Sequence, residues 1–196
     1  YVQTYGMTET SPYMTLSLLK EHLKALPPEE QLAYQARTGR EFIAVALKVV
    51  RENGEEVAPD NREVGEIIVK GDTVTRGYWQ LPEETSRAIR DGWLHTGDLA
   101  VIDAEGYVNI VDRKKDLIIV NGMNVYPRIV EESLYRMPGI REVAVVGELH
   151  GLHGEIPVAF IVRESENLPS EADVRTWCKD HLGRHEIPRK YVFVPE

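Results

Sequence analysis

What the chain lacks narrows it first. It holds a single cysteine, Cys178, so no internal disulfide can form, and a reducing cytoplasmic setting is the expectation. No apolar run approaches the roughly 18 residues that a membrane-spanning helix requires. Basic residues are in the minority, 23 Lys and Arg against 32 Asp and Glu, for a formal charge of -9. Nucleic-acid binders carry a basic face, so that class of partner is not expected. The chain opens with polar residues at Tyr1 and not at Met, which suggests no secretory signal and a piece excised from a longer protein. Internal repeats and low-complexity tracts are missing as well.

What is present is ordinary globular composition, 42% hydrophobic and 28% charged. Within 16–36, Leu18, Leu19, Leu23 and Leu26 recur at near-helical spacing, broken by Pro27-Pro28. A further helical stretch over 29–36 ends at Thr38-Gly39. From Arg40 the rhythm becomes that of strands, at 42–50, 65–70 and 107–111, with turn clusters such as "ENGEEVAPDN" between them. One short helical segment, 82–90, interrupts. After Lys115 the order becomes β-α-β-β-α-β. Pro127 starts a helix that Gly139 ends, and Ser170 caps a second that closes at Gly183. The fold class expected is α+β: an antiparallel, β-barrel-like part followed by a smaller α+β lobe. The segments are 1–39, 40–114 and 115–196, with the last boundary in "DRKKD".

Three stretches carry chemistry. In "TYGMTET", Gly6 lets backbone approach a phosphate, a Thr hydroxyl donates to phosphate oxygen, Glu9 suits Mg²⁺, and Tyr5 offers a flat face to a base. A plain turn around a buried tyrosine accounts for the same residues. In "DGWLHTGDLA", Asp98 at the end of a Gly turn suits two vicinal hydroxyls such as those of a ribose, or simply caps the turn. His95 reads as structural. In "IVDRKKDLIIVNGMN", Arg113 is a rigid fork for hydroxyls or phosphate, and the same charges also describe a solvated hairpin. His150 and His153 form H-x-x-H in a Gly-rich loop with no accompanying ligand, the pattern of exposed loop histidines more than of zinc.

Taken in this order, "YGMTE", "GEIIVKG", "RGYW", "GWLHTGD", "GYVNIVDRKKDLII" and "NGMNVYPRIVEE" resemble the adenylate-forming superfamily along the whole chain. Within it, "DRKKDLIIVNGMNVYP" and the "LKEHLKALPPEEQ" insertion are most similar to medium- and long-chain fatty acyl-CoA synthetases. The resemblance implies ATP, Mg²⁺ and coenzyme A beside a fatty acid, with an aryl- or amino-acid ligase loading a carrier protein, or a nucleotide-binding scaffold without turnover, as alternatives. It implies that Tyr5 stacks on adenine, with Gln3, Thr4 and Gly6 along its edge. Thr8 would meet the α-phosphate and Glu9 the Mg²⁺. Asp98 would hold the ribose with help from Arg113, and Ile110 would pack near the nucleoside. Lys115 would be the hinge of a mobile lobe, and Gly122 would run beside pantetheine. Met123 and "ELHGLHGE" depart from the usual pattern on the thiol side. The family's phosphate loop and final Gly-Lys have no counterpart here, so the expectation is a large-lobe tail plus most of a small lobe, inert alone, with an oligomer left open.

Overall fold

Strands outnumber helices in the computed structural model, which describes residues 2–165 and 169–195. The chain divides into two units, Tyr1–Val111 and Asp112–Glu196, and the expected separation of 1–39 from 40–114 falls inside the first. Both units mix helix and strand, so the fold is α+β. No helix among the described residues is long and apolar enough to cross a membrane.

In the first unit, β1 (Thr4–Gly6), β2 (Tyr13–Leu16) and β3 (Arg40–Glu41) form a small antiparallel sheet. A second, half-barrel sheet has the order β4 (Val45–Val50), β5 (Gly65–Gly71), β7 (Trp93–Ile102), β6 (Ile89–Arg90), with β8 (Val108–Arg113) pairing β7. Short helices α1 (Pro28–Gln35) and α2 (Pro82–Ala88) each start with proline at the first helical position, where its missing N–H costs nothing. Met14, Val45, Val49, Ile67, Val69, Leu94 and Val108 fill the core.

The leucine spacing before Pro27-Pro28 does not produce a helix, whereas the stretch expected over 29–36 is α1. Leu16 ends β2, and Glu21–Ala25 is only a 3-10 turn. The cause lies in Tyr107, whose hydroxyl donates to the Leu18 carbonyl at 2.7 Å and accepts the Lys20 N–H at 3.2 Å. Backbone groups that a helix would pair internally are taken by a fully buried side chain. Two further expectations shift. "TYGMTET" opens as strand β1, and "WLHTGD", after a turn at Gly92, lies within the long strand β7.

The second unit has one sheet in the order β10 (Met123–Val125), β9 (Ile118–Val120), β12 (Gly154–Arg163), β11 (Ile140–His150), with β13 (Lys190–Phe193) parallel to β12. Helices α3 (Pro127–Tyr135) and α4 (Glu171–His181) bury Val130, Leu134, Val174 and Cys178 in its core. The Ser170 hydroxyl accepts the Asp173 N–H at 3.3 Å while the Asp173 carboxylate accepts the Ser170 N–H at 3.0 Å, a capping box. Trp177 Nε1 donates to the Ser133 carbonyl at 3.0 Å and ties the helices together.

Candidate functional site

The first unit gathers "TYGMTE" and "HTGD" through a bulge. On β5, Glu66 pairs with Leu99 and Ile68 with His95, so Thr96, Gly97 and Asp98 stand opposite Ile67 alone. Surplus residues in one strand bend it and re-aim its side chains. The Thr96 hydroxyl donates to the Ile67 carbonyl at 2.8 Å and accepts the Asp98 N–H at 3.1 Å. Asp98 thereby meets the Tyr5 hydroxyl, which donates to its Oδ2 across 93 positions of sequence. Glu66, buried beneath, takes the His95 ring and the Gly97 N–H. His95 is thus engaged structurally.

The loop after β1 is fixed by close approach. A Cβ on Gly6 would sit 1.7 Å from the Pro12 carbonyl oxygen, so only glycine fits. Thr10 is buried and donates to that same oxygen at 2.7 Å. The turn leaves Thr8 exposed and Glu9 half-buried. The Glu9 carbonyl accepts the Thr75 N–H at 2.7 Å, and its Oε1 accepts the Tyr78 hydroxyl at 3.0 Å. Thr4 and Gly6 on β1, and Gln3 just before it, are exposed, with the Gln3 carbonyl bonded to the Ser17 N–H at 2.9 Å. Ile110 packs on the same core as Tyr5, and its N–H donates to the Thr38 hydroxyl at 3.1 Å.

In the second unit, Asp112 is buried and accepts the Arg113 N–H at 2.8 Å and the Arg128 N–H, in the first turn of α3, at 3.0 Å. Arg113 and Lys115 are exposed, Lys115 within the 3-10 turn Lys114–Asp116. Gly122 is exposed between β9 and β10 with φ of 78°, following Asn121 at 51°. Those two left-handed residues form the tight hairpin turn, for which Asn-Gly is the favoured pair. Nearby, Glu131 accepts the Val145 N–H at 2.8 Å, and burial pushes its carboxyl above the ordinary carboxylate range. His150 and His153 stack at 4.8 Å. Among the described residues, no three His, Cys, Asp or Glu side chains converge as metal ligands do.

Sequence reasoning passed over Glu66, Tyr78, Thr85 and Asp112. The acid inside the apolar run of "GEIIVKG" was a visible signal for Glu66. Tyr78, in "RGYW", declared nothing until its partner was known.

The Tyr5–Asp98 bond thus ties β1, just before the Thr8–Thr10 turn, to the bulge of β7. Residues 1–79 match the family model of the AMP-binding enzymes, and residues 129–196 match that of the AMP-binding enzyme C-terminal domain. The chain belongs to the AMP-binding enzymes. It is 39% identical over 194 residues to a 2-succinylbenzoate–CoA ligase of Geobacillus kaustophilus, covering 99% of this chain and 37% of that protein. It is 38% identical to a long-chain-fatty-acid–CoA ligase of Salmonella typhimurium, covering 100% of this chain and 32% of the other. Among solved structures, o-succinylbenzoate CoA synthetase from Bacillus subtilis with the acyl-adenylate intermediate OSB-AMP superposes with a TM-score of 0.83 at 32% identity, over 98% of this chain and 37% of that one. The chain therefore spans about a third of the length of the curated relatives it matches.

Proposed function

We propose that the whole protein carrying this chain is an ATP-dependent acid–thiol ligase, acting on a medium- or long-chain fatty acid. In the first step a carboxylate oxygen bonds to the α-phosphorus of ATP and the bond to pyrophosphate breaks, giving an acyl-adenylate. In the second the coenzyme A thiol, losing its proton, attacks the acyl carbon and AMP leaves. The observation that carries the reading is the bond between Tyr5 and Asp98. It sets a flat ring beside a carboxylate, the two features that adenine and a ribose diol require.

On this reading Asp98 accepts from the ribose hydroxyls, and Arg113 assists. Tyr5 stacks on the base, Gln3, Thr4 and Gly6 line its edge, and Ile110 packs behind. The exposed Thr8 hydroxyl donates to the α-phosphate. Glu9 fits a divalent cation, because Mg²⁺ takes one or two carboxylates and fills its shell with phosphate oxygens and water. When bound, Mg²⁺ neutralises phosphate charge. Lys115 is the hinge, and Gly122 lets backbone run beside the pantetheine arm.

An aryl acid is the second reading, favoured by the 39% identity to a 2-succinylbenzoate–CoA ligase. The test is acid-dependent ATP–pyrophosphate exchange in the whole protein across fatty acids of graded length and aromatic acids, followed by AMP release on adding coenzyme A. Exchange with fatty acids and thiol-dependent AMP release are expected. Exchange with aromatic acids alone replaces the substrate. No exchange with any acid, despite tight AMP binding, overturns the ligase reading in favour of a nucleotide-binding scaffold.

A further inference from the structure

Glu9 sits on a half-exposed turn, and a long carboxylate there needs something to aim it. The backbone is held by the Thr75 N–H at 2.7 Å, and one carboxylate oxygen by the Tyr78 hydroxyl at 3.0 Å. Tyr78 is itself seated. Its N–H donates to the Thr85 hydroxyl oxygen at 2.9 Å, and that hydroxyl donates to the Leu81 carbonyl at 2.8 Å, tying the loop to α2. Gly77 allows the approach, since a Cβ there would lie 2.6 Å from Thr85 Cγ2. The neighbouring Trp79 is 87% exposed, so its burial does not hold this segment; the polar chain Thr85–Tyr78–Glu9 does.

We propose that Tyr78, seated by Thr85, is a positioning residue that presets the Glu9 carboxylate for a divalent cation bound together with nucleotide phosphates. The inference rests on the role given to Glu9 above. With Oε1 engaged by Tyr78, Oε2 would be left for the cation, and the rotamer freedom of Glu9 would be given up during folding instead of during binding.

The test uses the whole protein saturated with ATP and Mn²⁺ as the probe, its binding read by electron paramagnetic resonance, beside exchange activity against Mg²⁺ concentration. Tyr78→Phe removes only the hydroxyl, and should weaken Mn²⁺ binding about three- to tenfold, the worth of one net hydrogen bond. Thr85→Val should act in the same direction and Thr85→Ser should restore binding, which keeps the test alive if one variant folds poorly. In a Glu9→Gln background Tyr78→Phe should add nothing. If Glu9→Gln weakens Mn²⁺ binding while Tyr78→Phe and Thr85→Val leave it unchanged, the positioning role is overturned and the Glu9 assignment survives. If Glu9→Gln itself leaves binding unchanged, the assignment of Glu9 falls, and this inference with it. A uniform loss of turnover at every Mg²⁺ concentration, with Mn²⁺ affinity intact, also overturns the positioning role.

Discussion

The Glu66 carboxylate reaches two points of the β7 bulge, with Oε2 3.1 Å from His95 Nδ1 and Oε1 accepting the Gly97 N–H at 3.2 Å. At 8% exposure it is, with Asp112, one of the two buried acids among the described residues. Glu66→Ala leaves that N–H and the imidazole without their acceptor, so the unfolding free energy should fall by about 1–3 kcal/mol. Glu66→Gln keeps an amide oxygen in place and should lose much less. Urea unfolding of both variants checks this, and equal losses would show that the negative charge, which both variants remove, matters more than the acceptor oxygen.

Asp98 stands on that bulge. In the whole protein, Asp98→Ala should weaken ATP binding by about 1.5–3 kcal/mol, roughly ten- to a hundredfold, as expected for lost bonds to a charged acceptor. Calorimetry reads it directly. Unchanged affinity would remove Asp98 from the nucleotide site.

Lys115 lies in a short exposed turn just after Asp112, which is anchored to α3. If the backbone there rotates between two working poses, Lys115→Pro should trap one by fixing φ near -65°. Pyrophosphate exchange and thioester formation should then suffer unequally. Equal loss in both half-reactions would count against a hinge at this residue.

Glu131 gives a pH dependence with a definite sign. Burial raises its carboxyl above the usual 4.5, Asp112 and Asp116 add to the rise, and the Val145 N–H and Arg128 oppose it. A raised folded pKa means the folded state holds the proton longer than the unfolded state. Stability therefore falls as pH climbs from about 4.5 through the raised value. Glu131→Gln keeps an acceptor for Val145 without that penalty. Its advantage over the natural residue, from chemical denaturation, should be larger at pH 7 than at pH 4. A pH-independent difference would refute the assignment.

The sequence made the second unit more legible than the first. Proline at the start of α3 and Ser170 before α4 mark helix ends through local chemistry, and the apolar runs "EVAVVGEL" and "IPVAFIV" announce β11 and β12. The helix expected over the first leucines failed because Tyr107, far along the chain, takes the Leu18 carbonyl. The same limit applied at the candidate site. Tyr5 and Asp98 were visible as residue types, but the bulge that joins them depends on an uneven pairing with β5. Thr85 and Tyr78 carried no signal of their own, since their meaning comes from Glu9, which is remote in sequence.

The long pairing of β11 with β12 across the short Gly151–His153 connection also bears on the order of assembly. Closing so small a loop forfeits little chain entropy, and each further rung forms beside one already made. The half-barrel sheet is built otherwise. β4 finds β5 across the 51–64 loop, and β5 finds β7 only after α2 and β6 intervene. Its contacts are more distant along the chain, the topology that slows folding. Assembly within the Asp112–Glu196 unit can therefore begin from a zipper of neighbours, whereas the sheet that carries Asp98 must wait for remote partners to meet.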